Sequence, residues 1–106
     1  MFARTVRLHL RPNSKGEFSQ TMERDIIPML RKQKGFQDEI TFLTSADTEA
    51  VGISLWDLKE NAEAYGRGAY PEVLKALARV VEGTPQIQNS EVCNSTFHKI
   101  AVPVAA

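Results

Sequence analysis

The chain has 106 residues, enough to bury one hydrophobic core and too few for two. Its 42% hydrophobic and 25% charged residues match an ordinary globular protein. Thirteen basic and thirteen acidic residues cancel and are interspersed, which removes the electrostatic footprint expected of a nucleic-acid or anionic-membrane binder.

No segment approaches the ~20 apolar residues that a membrane-spanning helix needs. Cys93 is the single cysteine, so an intrachain disulfide is excluded. Met1 to Arg7 carries charge where a secretory leader would be apolar, and the two observations together predict a cytoplasmic setting.

Phe2 to Arg11 alternates with period two, which predicts a strand with one buried face. Phe2, Val6, Leu8 and Leu10 share one side, with Arg4 the exception among them; Thr5, Arg7, His9 and Arg11 share the other. Ser14-Lys15-Gly16-Glu17 has the form of a capping box, and Phe18, Met22, Ile26, Met29 and Leu30 follow as one helical stripe. Pro28 deletes a backbone donor inside that helix and predicts a kink. Gly35 suits a left-handed residue beyond its end.

Phe36 to Thr44 predicts a second strand, with Phe36, Ile40 and Phe42 on one side and Gln37, Glu39 and Thr41 on the other. After a turn at 45–48, Glu49 to Trp56 completes an antiparallel hairpin, its Val51, Ile53 and Leu55 aligned. Gly52 and Ser54, on the opposite side, are small and leave room for a close approach. Asp57 is expected to cap a helix with Glu60 in its first turn, and Gly66-Arg67-Gly68 to break it. Pro71 and Glu72 restart a helix with Val73, Leu74, Leu77, Val80 and Val81 as its apolar face, closed by Gly83 and Pro85. The last strand is expected within Ile87 to Val102, centred on Glu91–Ile100, and the tail 103–106 is expected to fray.

The order βαββαβ predicts an α+β, ferredoxin-like domain over 1–102, its two helical segments on one face of a four-stranded antiparallel sheet. The other face carries Phe, Val and Leu among polar residues. An apolar face of that size seeks a partner, so a homodimer with sheets packed face to face is expected.

With Leu55-Trp56 at the end of the third strand, then Ala62 and Tyr65 on the following helix, the chain resembles the antibiotic biosynthesis monooxygenase-like (ABM) domains of the dimeric α/β-barrel group. That resemblance implies a dimeric barrel with a ligand cavity between sheet and helices. It also implies cofactor-independent oxygenation of a flat aromatic or quinol-type molecule, with no metal or cofactor. The haem-degrading branch of the group places an asparagine on the first strand and a histidine on the later helix. Here Asn13 lies beyond the first strand and no histidine occurs between Leu10 and Phe97, so haem degradation is not expected.

His9 and His98 are the two histidines and the candidate proton acceptors; the alternative for each is a surface or dimer-face position. Arg7, beside His9, can hold an anionic or carbonyl oxygen or form an ordinary salt bridge. Asn94 and Thr96, or the alternate set Cys93, Ser95 and Phe97, are candidates to line the cavity. Trp56, Tyr65 and Tyr70 are candidate walls for a flat substrate, against core packing as the alternative. No spacing of histidine and cysteine suggests a metal site.

Three functions follow. The first is a cofactor-free monooxygenase with a cavity closed by Trp56 and Tyr65. The second is a non-catalytic small-molecule-binding or stress-related dimer of the same fold, which requires both histidines outside any pocket. The third is an isomerase or other acid–base enzyme, which requires a buried His or Glu facing a cavity.

Overall fold

The computed structural model describes residues 1–100. In chain order it contains β1 (Phe2–Leu10), α1 (Lys15–Thr21), a π-helical segment (Met22–Ile26), α2 (Ile27–Arg31), β2 (Phe36–Leu43), β3 (Glu49–Trp56), α3 (Lys59–Arg67), α4 (Tyr70–Leu77) and β4 (Val81–Glu91). The strands form one antiparallel sheet in the order β2-β3-β1-β4. The helices pack on one face of it, which is the expected ferredoxin-like α+β arrangement. No helix of the described residues is long and apolar enough to cross a membrane.

The core forms where the apolar stripes of the helices meet the inward rows of β1 and β3. Phe18, Ile26 and Leu30 come from the first helical stretch, Tyr65, Val73 and Leu77 from the second, and Leu8, Leu10, Ala50 and Trp56 from the sheet. The first stretch runs unbroken from Lys15 to Arg31, but its middle widens into a π turn just before Pro28. Proline supplies no N–H to the preceding turn and crowds its carbonyl, so the expected kink is realised as a wider turn.

Two caps differ from expectation. Ser14 occupies the N-cap, but its hydroxyl donates to Pro12 O at 3.5 Å and makes no capping bond to the helix. The N-cap of α3 is Leu58; Asp57 stands one residue earlier, accepting from Leu58 N–H at 2.6 Å and Asn61 Nδ2 at 2.8 Å. Asp57 N–H in turn donates to Gly35 O at 2.9 Å. A Cβ on Gly35 (φ 81°) would lie 2.1 Å from Asp57 Oδ1, so this tight corner requires glycine.

A bulge between Phe36 and Asp38 changes which side β2 presents. Phe36 pairs with Trp56 and turns inward, but beyond the bulge it is Glu39, Thr41 and Leu43 that face the helices. Ile40 and Phe42 point to the open face. An inserted residue reverses every later side chain, so the expected grouping of Phe36 with Ile40 and Phe42 does not occur.

The last strand also differs. α4 ends at Leu77, and β4 begins at Val81 rather than Ile87. Gly83 (φ 75°) and Pro85 lie in an irregularity of β4, between the pairs Arg7–Gln86 and His9–Glu82. An edge strand tolerates a residue without an N–H, so Pro85 extends the sheet instead of closing a helix. After Glu91 the chain leaves the ladder, with Val92 N–H donating to Met1 O at 3.0 Å. Residues 92–100 are irregular, and His98 pairs with Asp38 on β2. The end of the expected strand, at Val102, and the tail 103–106 lie outside the described residues.

Candidate functional site

The site grows from one cross-strand row. Glu39 pairs with Ser54, and Ser54 with Arg4, so all three point from β2, β3 and β1 toward the helices. Alternation on β1 gives Arg4 the same direction as Phe2, Val6 and Leu8, and it is only 7% exposed. An arginine side chain stays charged wherever it sits. Neither Arg4 nor Glu39 joins any ion pair among the described residues. Their backbones stand two strands apart, roughly 10 Å at ordinary strand spacing.

The Arg4 guanidinium lies over the Tyr70 ring at 4.4 Å from its centroid and near Tyr65 at 5.7 Å. Such contacts return up to ~2 kcal/mol when desolvated. Burying a charge without a counter-ion costs several kcal/mol, so the aromatic faces offset only part of it. Arg4 Nε and Tyr70 Oη are both buried without a hydrogen-bond partner. Gly66 makes room here: a Cβ at that position would stand 3.1 Å from an Arg4 terminal nitrogen.

Tyr65 stacks on Trp56 at 5.0 Å between centroids, and Trp56 meets Phe36 edge-on at 5.6 Å. The result is a continuous aromatic ladder from Phe36 through Trp56 and Tyr65 to Tyr70. Trp56 Nε1 donates to Ser54 Oγ at 2.9 Å, which satisfies its polar edge inside the core.

At the other end of the row, burial pushes the Glu39 carboxyl up to about 7 from its ordinary 4.5, while the Thr41 hydroxyl, donating at 2.7 Å, pulls it down. The carboxylate lies over Gly52, where a Cβ would be 2.9 Å from Glu39 Oε2. Tyr65 and Tyr70 are also raised by burial, with the Arg4 charge drawing both back.

Between the row and the helices lies a cavity. Its polar lining is Arg4, Glu39, Thr41, Ser54 and the two tyrosines; the rest is apolar, including Phe18, Met22, Ile26 and Leu77. About 50 Å³ of it admits the centre of a water-sized sphere. That room holds a few waters. A larger ligand requires side chains of the wall to move; Met22 and Leu74 are half-buried there. Met22 belongs to the π-helical segment, a local geometry frequent at functional sites.

The structure distributes the sequence-derived candidates unevenly. Tyr65 and Tyr70 line the cavity. Trp56 is fully buried behind Tyr65 and touches the cavity only through Tyr65 and Ser54. His9 is exposed on the far side, 4.0 Å from Glu82, and Arg7 lies in the same shallow surface groove. His98 packs on Asp38 outside the cavity. Asn94 and Thr96 are exposed in the irregular segment after β4, as are Cys93 and Phe97, because the strand that was to aim them ends at Glu91.

Arg4 and Glu39 were not among the candidates. The parity of β1 already carried a signal, since Arg4 interrupts the apolar set on the buried side. Glu39 was hidden by the bulge. Among the described residues no group of His, Cys, Asp and Glu could hold a metal ion.

No protein-family model matches this chain. No curated protein matches it either. Its fold, in contrast, recurs in solved structures. NE2512, a protein of unknown function from Nitrosomonas europaea, is 16% identical over 96% of this chain and 95% of its own, with a TM-score of 0.74. A monooxygenase from the gene ActVA-Orf6 of Streptomyces coelicolor, solved with nanaomycin D, is 14% identical over 96% of this chain and 91% of its own, at 0.73. SnoaB, a cofactor-independent oxygenase from Streptomyces nogalater, is 15% identical over 90% of this chain and 95% of its own, at 0.71. The architecture is thus that of the antibiotic biosynthesis monooxygenase proteins. At such identities the likeness is one of fold, and function has to be argued from the site.

Proposed function

We propose that this protein is a monooxygenase-like enzyme that binds a flat, largely apolar hydroxyarene or quinol in the cavity between sheet and helices, and oxygenates it without metal or flavin. The observation that carries this reading is Glu39: a half-buried carboxyl on the wall of a mostly apolar cavity, raised by desolvation to about 7. A base with that value is poised for proton abstraction near neutral pH.

Glu39 takes a proton from a phenol or an activated ring carbon, and the substrate anion supplies electrons to O₂. For an activated ring CH₂ group the sum balances as CH₂ plus O₂ giving C=O plus one water, all four electrons coming from the substrate. The Tyr65 and Tyr70 rings wall the substrate, and Trp56 backs Tyr65 from the core. Related folds that are described as oxygenases support the oxygen chemistry by analogy.

The working unit on this reading is a homodimer. The open sheet face carries Ile40 at 38% and Phe42 at 52% exposure beside half-buried Val51, Ile53 and Leu55. A two-fold contact would cover this apolar face with a copy of itself.

An acid–base isomerase is the second reading, favoured by the same glutamate, which needs no oxygen for proton transfer. The non-catalytic dimer is supported by the position of both histidines outside the cavity. Oxygen-electrode measurements with a panel of naphthohydroquinones and polyphenols separate the three. The oxygenase consumes O₂, loses that activity in Glu39→Gln by 10²- to 10⁴-fold, and keeps it in the His9→Ala/His98→Ala double variant. Activity that survives Glu39→Gln, or no turnover with any compound, rejects the oxygenase assignment.

A further inference from the structure

We propose that the cavity is built for a flat aromatic acid, whose carboxylate seats on Arg4 while a hydroxyl at its far end meets Glu39. This rests on the cavity being the substrate site and adds the charge and layout of the ligand.

Arg4 is 7% exposed and keeps a buried Nε without a partner. Its guanidinium carbon lies over the Tyr70 ring at 4.4 Å, and the side chain lines the cavity. A planar fork of donors matches a carboxylate better than it matches a single oxygen. No acidic side chain of the described residues answers the charge. Glu39, the one carboxyl on the cavity wall, is engaged by Thr41 and stands two strands away in the same row. Tyr65 lies between them, raised by the Glu39 charge and lowered by that of Arg4. Two groups so separated grip opposite ends of a ligand rather than one oxygen. The walls between them are mostly apolar, and a fused-ring body seats there once side chains of the wall move apart.

The probe is 6-hydroxy-2-naphthoate, compared with its methyl ester and with 2-naphthol by titration calorimetry at neutral pH. Wild type is expected to bind the acid at least about tenfold more tightly than either neutral compound, the margin of a charge-assisted bidentate pair. Arg4→Met abolishes the preference, Arg4→Lys retains part of it, and Arg7→Met on the open face leaves it intact. Equal affinities for acid and ester in wild type, a preference untouched by Arg4→Met, or no binding of the acid at millimolar concentration overturns the inference. Circular dichroism checks that Arg4→Met folds; the acid-to-ester comparison on wild type stands without it. Acid preference without oxygen uptake removes the oxygenase reading and keeps this one, and oxygen uptake without acid preference does the reverse.

Discussion

The two faces of the sheet are built from the same four strands, yet they hold their polar residues in opposite ways. On the open face Arg7 and His9 are exposed to solvent and Glu82 is partly so. On the covered face Arg4 and Glu39 sit among aromatic and aliphatic side chains, one cation without a counter-ion and one carboxyl raised to about 7. Polar chemistry that survives burial without pairing is energetically expensive and marks function more reliably than a histidine in water.

The largest effect expected on this contrast is structural. Trp56 is wholly buried beneath the cavity, and Trp56→Ala removes the ladder that positions Tyr65. Urea denaturation should show a loss of about 3–5 kcal/mol. A loss below about 1 kcal/mol would mean that the covered face is not held from below by this ring.

Next comes the pH dependence of stability. The native Glu39 carboxyl is raised to about 7 from 4.5, so the folded state holds its proton over that interval while the unfolded chain releases it. Stability from this group is therefore full below about 4.5 and is lost as pH rises through about 7. Glu39→Gln keeps an acceptor for the Thr41 hydroxyl and removes the titration. It should be more stable than wild type by roughly 2 kcal/mol at pH 8 and equal to it at pH 4, as read from paired urea melts.

A smaller perturbation tests the position of the carboxyl. In Gly52→Ala the new methyl would stand 2.9 Å from Glu39 Oε2, so the flexible end of that side chain must move. Turnover should fall about tenfold, or ~1.4 kcal/mol in the barrier, with little change in melting temperature. Unchanged turnover would show that this glycine does not set the geometry of the base.

The smallest effect on the subunit is expected from the open face. Phe42→Lys places a charge on an exposed ring position outside the core. Light scattering should then report the mass of one chain where wild type gives two, with unchanged circular dichroism. A wild type that is already monomeric contradicts the proposed dimer.

The architecture was legible because periodicity two and 3.6 separates strands from helices in this chain, and Gly35 and Gly68 fall at helix ends. The site was less so. On β1 the anomaly was visible as Arg4 among Phe2, Val6 and Leu8, and a buried reading of that parity would have found it. On β2 the alternation appeared to place Glu39 opposite Phe36. A bulge at Gln37 put both on the covered face, and nothing in local composition announces a bulge. On β4 the Gly83 and Pro85 pair looked like a helix stop, whereas an edge strand absorbed both. With the strand moved upstream, Asn94 and His98 lost the regular backbone that would have aimed them.

The claim at the centre is that the covered face holds a working carboxyl. Carbon-13 NMR of the glutamate side-chain carboxyls across pH 3–9, with Glu39 assigned by its glutamine variant, measures it without a substrate. One carboxyl should titrate with a midpoint near 7 and disappear in Glu39→Gln. A Glu39 midpoint near the ordinary 4.5 would mean that water reaches this face freely and that Glu39 is not a working base near neutral pH.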